Sequence, residues 1–396
     1  LNRDFGSNAI IPSTLDYDLH GIVGIRVIDA LPDDVAVVNR QIGPIQTQLY
    51  RTPDIVIKFV DELPSYSSVN LLGVDETGFT DDSFLVLRSK HKTKAKVQIA
   101  LEQVGGRCEI ICERGLPLIP LLIPIINLTA LVKGSLPLHA SAFIYEGTSV
   151  LTTGWSKGGK TETLLAFMAE GAQYIGDEWV YITASRDQIC GIPEPIRLWD
   201  WHLKSLPQYK KALTSNQRIR LQAIRWFLLL DRASAKGRNN KMFPFNIIRR
   251  LNPILKRQLY VDILPQKLFG GDRISLSGPL DKIIFVGVHD SPDIRVKRID
   301  SLEVARRMVF SLQYEQIPLL SHYFAFRFAF PEKTNRWIDQ SQEIQYERLK
   351  SILGKRDVHA VLHPYPISIP RLYQAISPLL VQDTVLNVQQ PHYVAQ

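Results

Sequence analysis

The 396-residue chain is poor in sulfur, with three cysteines and three methionines. Cys108, Cys112 and Cys190 are too few, and odd in number, for a disulfide framework. The Cys108/Cys112 pair lacks a second Cys or His pair at zinc spacing. All three therefore read as buried thiols in a reducing compartment, since free cysteine is among the most buried residue types. A long apolar run free of proline is also missing. Residues 115–132 carry no charge, but Pro117, Pro120 and Pro124 interrupt them at the short limit of a membrane span. The expectation there is a buried irregular segment leading into a helix, with no membrane span. Residues 1–30 lack the basic and apolar regions of a secretory signal and carry Asp4, Asp16, Asp18 and Asp29. A cytoplasmic location is expected. Apolar residues at 45% and charged residues at 22% exclude a disordered chain, a collagen-like chain and a coiled coil. No internal repeat or low-complexity segment is visible.

Acidic residues are scarce in one place. Residues 201–260 hold fourteen Lys and Arg against a single acid, Asp231, so this window carries +13 within a chain of net charge +8. The rest of the chain is therefore acidic. Within the window, Gln217–Leu230 places Ile219, Leu221, Ile224, Phe227 and Leu228 at helical spacing, with Arg218, Arg225 and Arg232 seven apart on one face. Three readings compete: a solvated helix face on an insertion, a dock for an anionic acceptor, and recognition of nucleotide phosphates. Nucleic acid is disfavoured, because helix-turn-helix, zinc and RNA-recognition signatures are all missing.

What is present follows a clear order. Residues 1–115 form short apolar or alternating runs at Ile55–Val60, Phe84–Arg88, Lys96–Leu101 and Cys108–Cys112, separated by turn formers. They predict a β-rich domain. Ala140–Tyr145 and Thr148–Thr153, joined by Glu146-Gly147, predict a hairpin. A helix is predicted from Lys160 to Glu170 with Gly171 as its stop, then strands at Gln173–Ile175, Trp179–Ile182 and Lys282–Val288. Asp300-Ser301-Leu302-Glu303 predicts a capping box opening a helix to about Leu312. From Tyr314 onward the chain reads as mainly helical, interrupted by Pro364, Pro366 and Pro370 before a last helix near Leu372–Leu380. The division expected is 1–115, 116–315 with a basic insertion at 201–260, and 316–396. The class is α/β (α+β).

The second hairpin strand ends in Gly154-Trp-Ser-Lys-Gly-Gly-Lys-Thr161, a full match to G-x-x-x-x-G-K-[ST] between a strand and a helix. Gly154, Gly158 and Gly159 let the backbone wrap phosphates, with Ser156 and Lys157 between them. Successive amides and the helix N-terminus then supply an anion nest. Lys160 reaches the β/γ oxygens as a point charge, and the Thr161 hydroxyl can hold Mg²⁺. Glu162 sits in the first helical turn, where an acid is favourable for the helix dipole regardless of function. Asp177 and Glu178 follow at a strand end, where a carboxylate holds Mg²⁺ or takes a hydroxyl proton; an exposed turn pair is the alternative. His139 precedes the hairpin, and a lone histidine is more often structural than catalytic.

Taken together, His139, Gly-x-Ser-x-x-Gly-Lys-Thr-Glu-Thr at 154–163 and Gly-x-x-x-Ile-Gly-Asp-Glu at 171–178 resemble the catalytic core of the HPr kinase/phosphorylase family. That family's fold is related to phosphoenolpyruvate carboxykinase. Lys157 stands where the family usually has Gly, and Glu178 where it usually has Asp. The resemblance implies an ATP- and Mg²⁺-dependent kinase core, with Asp177 as base for the acceptor hydroxyl and His139 close to the transferring phosphate. It equally fits relatives acting on small metabolites or on serines of peptides, and it implies a homo-oligomer. In this reading Asp177, His139 and Lys160 are catalytic, Gly154, Ser156, Lys157, Gly158, Gly159, Lys160, Thr161 and Glu162 bind the nucleotide, and Thr161, Asp177 and Glu178 serve the metal. A nucleotide-binding regulator without transfer activity, and a basic nucleic-acid-binding P-loop protein, are the alternatives.

Overall fold

The computed structural model describes residues 14–63, 69–73, 76–87, 96–236, 252–354 and 356–380, the side chains of 230–236 excepted. It is mixed α/β. The first sheet has eight strands: β1 Thr14–Leu19, β2 Val23–Ile28, β3 Ile55–Val60, β4 Asn70–Leu72, β5 Thr77–Phe79, β6 Phe84–Val86, β7 Val97–Ile99 and β8 Cys108–Glu113. Their order is β1-β2-β3-β8-β7-β6-β5-β4, with β2, β3 and β8 parallel. Helix α1 Pro32–Ile42 makes the β2-to-β3 crossover that parallel pairing requires. Cys108, Cys112 and Cys190 are all buried in one continuous apolar core; burial pushes the Cys108 thiol up to about 12 and Cys190 to about 11. The uncharged stretch leads into helix α2 Leu122–Val132, which is buried along most of its length. Among the described residues no helix is long and apolar enough to cross a membrane.

The second sheet comprises β9 Leu136–Tyr145, β10 Thr148–Gly154, β11 Gln173–Gly176, β12 Trp179–Ile182, β13 Gln188–Gly191, β16 Ser277–Pro279, β17 Lys282–Val288, β18 Arg295–Ile299 and β19 Val358–His363. Strands β14 Ile196–Trp199 and β15 Tyr260–Ile263 form a separate antiparallel pair. The main order is β16-β13-β12-β9-β10-β17-β19-β18, with β11 on β9. At its centre β10, β17 and β19 are parallel. Helix α3 Lys160–Ala169 follows β10. The insertion contains α4 Asp200–Ser205, α5 Ser215–Lys236 and α6 at 252–257, followed by α7 Pro265–Phe269. Then come α8 Ser301–Ala329, α9 Arg336–Asp339, α10 Ser341–Leu353 and α11 Ile369–Ile376.

Central strands buried on both faces need apolar residues at every position rather than alternation. Strand β17 shows the result: Ile283 and Phe285 join the core with α2, α8 and α10, while Ile284 and Val286 join the core with α3 and α11. The first of these cores is continuous with that of the N-terminal sheet.

Several elements differ from the sequence reading. Strand β9 begins at Leu136 rather than Ala140, because Pro137 has its place opposite Tyr181 in the ladder. The region read as mainly helical contributes β19, a mostly buried run of six residues between β17 and β18. Helix α8 runs past Leu312 and through Pro318 to Ala329. Asp300 caps it by accepting the Leu302 N–H at 3.1 Å, but Glu303 pairs forward with Arg307 instead of closing a capping box. Pro370 lies in the first turn of α11, where its missing N–H costs nothing. Residue 88 of the expected Phe84–Arg88 strand lies outside the described residues.

One side chain ties the N-terminal sheet to the helical layer. Buried Asn335 accepts the Trp337 and Ile338 N–H groups at 2.9 and 3.3 Å and donates to the Leu101 and Val104 carbonyls, both at 2.8 Å. Removing it strands several buried backbone groups. Asn335→Ala is expected to cost about 2–4 kcal/mol. Urea unfolding of the purified chain measures this, and a midpoint equal to the wild type's would reject the role.

Candidate active site at the end of strand β10

The loop after β10 depends on close backbone approach. Gly154 has φ 155°, and a Cβ there would lie 2.3 Å from the Val286 carbonyl oxygen on parallel β17. Gly159 has φ 104°, and its Cβ would lie 2.4 Å from His363 Nε2. His363, the last residue of β19, donates from Nε2 to the Gly158 carbonyl at 2.8 Å and so fastens the loop to the sheet. The Gly158 N–H closes the turn on the Trp155 carbonyl at 3.0 Å. Lys157, exposed at the rim, has φ 61°. A side chain in that left-handed region costs about 1–2 kcal/mol, which is the physical reason a glycine suits this position. Ser156 lies beside it, half-buried. The first-turn amides of α3 have no intrahelical acceptor and face the loop's concavity.

Lys160 is buried, and its ammonium donates to the carbonyls of Trp155 at 2.9 Å and Gly154 at 3.3 Å. Burial lowers its pKa; the charges of Glu178, Asp177, Glu315 and Glu162 oppose that shift without cancelling it. The Thr161 hydroxyl lies 3.2 and 3.1 Å from the two carboxylate oxygens of Asp177. Asp177 is buried, and that burial, reinforced by the Glu178 charge, pushes its pKa up to about 8 despite the Thr161 hydrogen bond. Glu178 has φ 62° and turns the other way, accepting from His139 Nε2 at 2.9 Å. Its surroundings disfavour the charge, but the His139 hydrogen bond and Lys160 outweigh them and hold it below the ordinary carboxylate range. The two neighbours are thus pushed apart, Asp177 toward holding a proton and Glu178 toward holding a charge.

His139 Nδ1 lies 2.7 Å from Glu315 Oε1 on α8. Burial lowers the imidazole's pKa, and the two flanking carboxylates more than reverse that, so the net direction is upward. Glu162 faces away from Asp177 toward α4, where His202 Nε2 donates to it at 3.1 Å while His202 Nδ1 accepts the Trp199 N–H at 3.1 Å. Burial would raise the Glu162 pKa, and the His202 contact brings it below the usual value.

The fold thus brings residues 154–161, Asp177, Glu178 and His139 to one end of the second sheet, with Lys157 outermost. Four further residues had no sequence signal. Glu315 comes from the middle of a long helix, His363 from the unannounced strand, and His202 from the insertion. Glu194 accepts the Trp179 N–H at 3.3 Å, and burial beside Glu178 and Asp177 raises its pKa well above normal. In the basic window the three arginines do not act alike. Arg225 is half-buried and tied to Asp200, which also pairs with Lys204 at 2.7 Å. Arg218 is exposed and reaches the Lys210 carbonyl at 3.2 Å, and the Arg232 side chain lies outside the described residues. Arg197 on β14 pairs with Asp262 at 2.9 Å, stacks 4.1 Å over the Tyr260 ring, and adds positive charge toward Glu178.

Among the described residues no group of three or more His, Cys, Asp and Glu is arranged to hold a metal. The Thr161 hydroxyl and the Asp177 carboxylate are nonetheless hard oxygen donors in contact, and Asp177 is a buried carboxylate whose raised pKa marks a missing countercharge. That donor set suits Mg²⁺, which is commonly held by one or two protein oxygens together with phosphates and water.

No family model matches the chain, and no curated protein matches it. A solved structure that does match is the Hpr(Ser) kinase/phosphatase from Coxiella burnetii. It is 12% identical, the match covers 64% of this chain and 99% of that chain, and the TM-score is 0.23. The similarity is distant, and the function rests on the chemistry of the site itself.

The raised Asp177 pKa makes stability depend on pH. Between the unfolded value near 4 and the folded value of about 8 the folded chain holds a proton that the unfolded chain has lost. Stability therefore falls as pH rises through that window, and Asp177→Asn removes the fall. Melting temperatures across pH 5 to 9 should show the variant gaining on the wild type as pH increases. A constant offset would mean that Asp177 is ionised throughout.

Proposed function

We propose that the chain is an ATP- and Mg²⁺-dependent phosphotransferase that moves the γ-phosphate to a hydroxyl acceptor. The observation that carries this reading is the contact between Thr161 of the phosphate-binding loop and the buried, basic carboxylate of Asp177. It joins a phosphate platform suited to a metal to a carboxyl of raised pKa, which in its ionised form is a stronger base than an ordinary aspartate.

Each residue then has a task. Residues 154–161 wrap the triphosphate with loop amides and the α3 N-terminus. Lys160 leaves the Trp155 and Gly154 carbonyls and turns its ammonium to the β/γ oxygens. Thr161 and Asp177 would hold Mg²⁺, with Glu178 beside them, and the ion would supply positive charge against the transferring group. The acceptor oxygen attacks the γ-phosphorus in line, its new O–P bond forming as the bond to the ADP oxygen breaks, and its proton passes to Asp177. His139, whose pKa the flanking Glu178 and Glu315 raise, offsets negative charge at the transferring group when protonated. The acceptor is a serine of a peptide or protein, or a small hydroxylated metabolite, and the exposed Lys210, Lys211, Arg218 and Arg220 favour an anionic one. Free buried thiols and nucleotide chemistry suit the cytoplasm.

Lys160→Ala is expected to abolish the rise in melting temperature that ATP-Mg²⁺ gives the wild type; an unchanged rise would place the triphosphate elsewhere. Asp177→Asn is expected to lower transfer to a hydroxyl acceptor by at least about 10²-fold and to remove the rising limb of kcat/KM with pH. Labelled ATP with phosphorylated acceptor as the readout tests this, and undiminished transfer would assign the base to another residue. A chain that shows the ATP-dependent melting shift but forms no phosphorylated product under any acceptor would be a nucleotide-binding regulator.

A further inference from the structure

Helix α8 buries one side against the sheet, and among the described residues nothing covers the opposite side. Along it Phe310, Tyr314, Ile317, Ser321, Phe324 and Phe328 recur at alternating steps of four and three. The five large side chains of this row are between 49% and 72% exposed. Trp155 of the phosphate-binding loop is 50% exposed and extends the row sideways, its ring centroid 5.1 Å from that of Tyr314. Monomeric proteins rarely expose a contiguous apolar patch beyond a few hundred Å². This one spans about 27 Å of helix and presents on the order of 600 Å² of side chain. That approaches the roughly 800 Å² per partner of a stable protein interface.

We propose that this face of α8 is the contact surface for a second copy of the chain, docked antiparallel about a twofold axis near position 319. The spacing supports this occupant because it reads the same in both directions. With the axis there, Phe310 meets Phe328 of the partner subunit, Tyr314 meets Phe324 of the partner subunit, and Ile317 meets Ser321 of the partner subunit. A twofold contact requires such self-complementarity. Steps of four and three are those by which two helices interlock along a seam. The centre, with Pro318 and Ser321, is the least bulky part of the row and admits close approach. At the Phe310 end lies a cavity of about 480 Å³ lined in part by Arg306, Val309, Gln342, Glu343 and Tyr346. Phe328 of the partner subunit arrives beside it, as an aromatic anchor fits a pocket at the heart of many interfaces.

The contact also bears on the nucleotide site. Phe324 of the partner subunit packs on Tyr314 and on Trp155, so assembly encloses one wall of the phosphate-binding loop. Glu315, next in sequence to Tyr314, reaches His139 from the same turn of helix.

The test is made on the full chain without nucleotide, so it stands apart from the phosphotransfer reading. Light scattering after gel filtration is expected to give about twice the 45.0 kDa chain mass. Phe310→Asp combined with Phe324→Asp should return the mass to that of one chain with unchanged circular dichroism. The native cysteines are buried, which leaves engineered ones free to report geometry. Mixing Ile317→Cys chains with Ser321→Cys chains under mild oxidation should give a covalent dimer that neither gives alone. A wild type of single-chain mass, a double aspartate variant that still assembles, or cross-linking by Ser321→Cys alone would each overturn the proposal.

Discussion

A buried ammonium organises this molecule's functional end. Lys160 is held away from water by α3 and the loop, and a charge in that position is tolerated only where the surroundings answer it. Two loop carbonyls do so by hydrogen bonding, and a group of four acidic side chains, Glu178 foremost, does so at longer range. Those side chains crowd one another, and the crowding sorts them. Glu178 keeps its charge because His139 donates to it, Glu162 keeps its charge because His202 does, and Asp177, with only a hydroxyl, keeps a proton. Burial and the charge of its neighbour push Asp177 up, whereas the His139 hydrogen bond and the nearby cations bring Glu178 down.

The partners come from far apart in the chain. His139 lies on β9, Glu315 on α8, His202 on the insertion and His363 at the end of β19. The antiparallel pairing of β9 with β12 sets His139 opposite Trp179 and so beside Glu178, and the parallel pairing of β10, β17 and β19 brings His363 to the loop. Ligand sites in such sheets form where strand ends and helix N-termini meet. The same pairing explains the glycines: Gly154 and Gly159 sit where Val286 and His363 leave no space for a Cβ.

Much of this was legible in advance. The strand–loop–helix at 148–169 was readable because glycine, lysine and threonine at fixed spacing carry their chemistry locally. The N-terminal strands were readable from short apolar runs between turn formers. Strand β19 was not, since six residues at 358–363 flanked by helices and prolines give no distinctive period, and only pairing between β17 and β18 makes them a strand. The length of α8 was underestimated because Pro318 ordinarily ends a helix. It is accommodated here because the proline lies on the exposed side.

The sequence alone determined the glycine-rich strand–loop–helix at 148–169, with Lys160 and Thr161 opening its helix, and the acidic pair downstream, because each depends on residues within a few positions of one another. It also determined that the positive charge is concentrated in one insertion. The tertiary structure decided which member of the acidic pair carries the proton, that His139 stands between two carboxylates, and that Arg225 in the basic stretch is already held by Asp200. It also decided that α8 presents an aromatic row to solvent. These follow from burial and from contacts between residues scores of positions apart, and neither is written in local spacing.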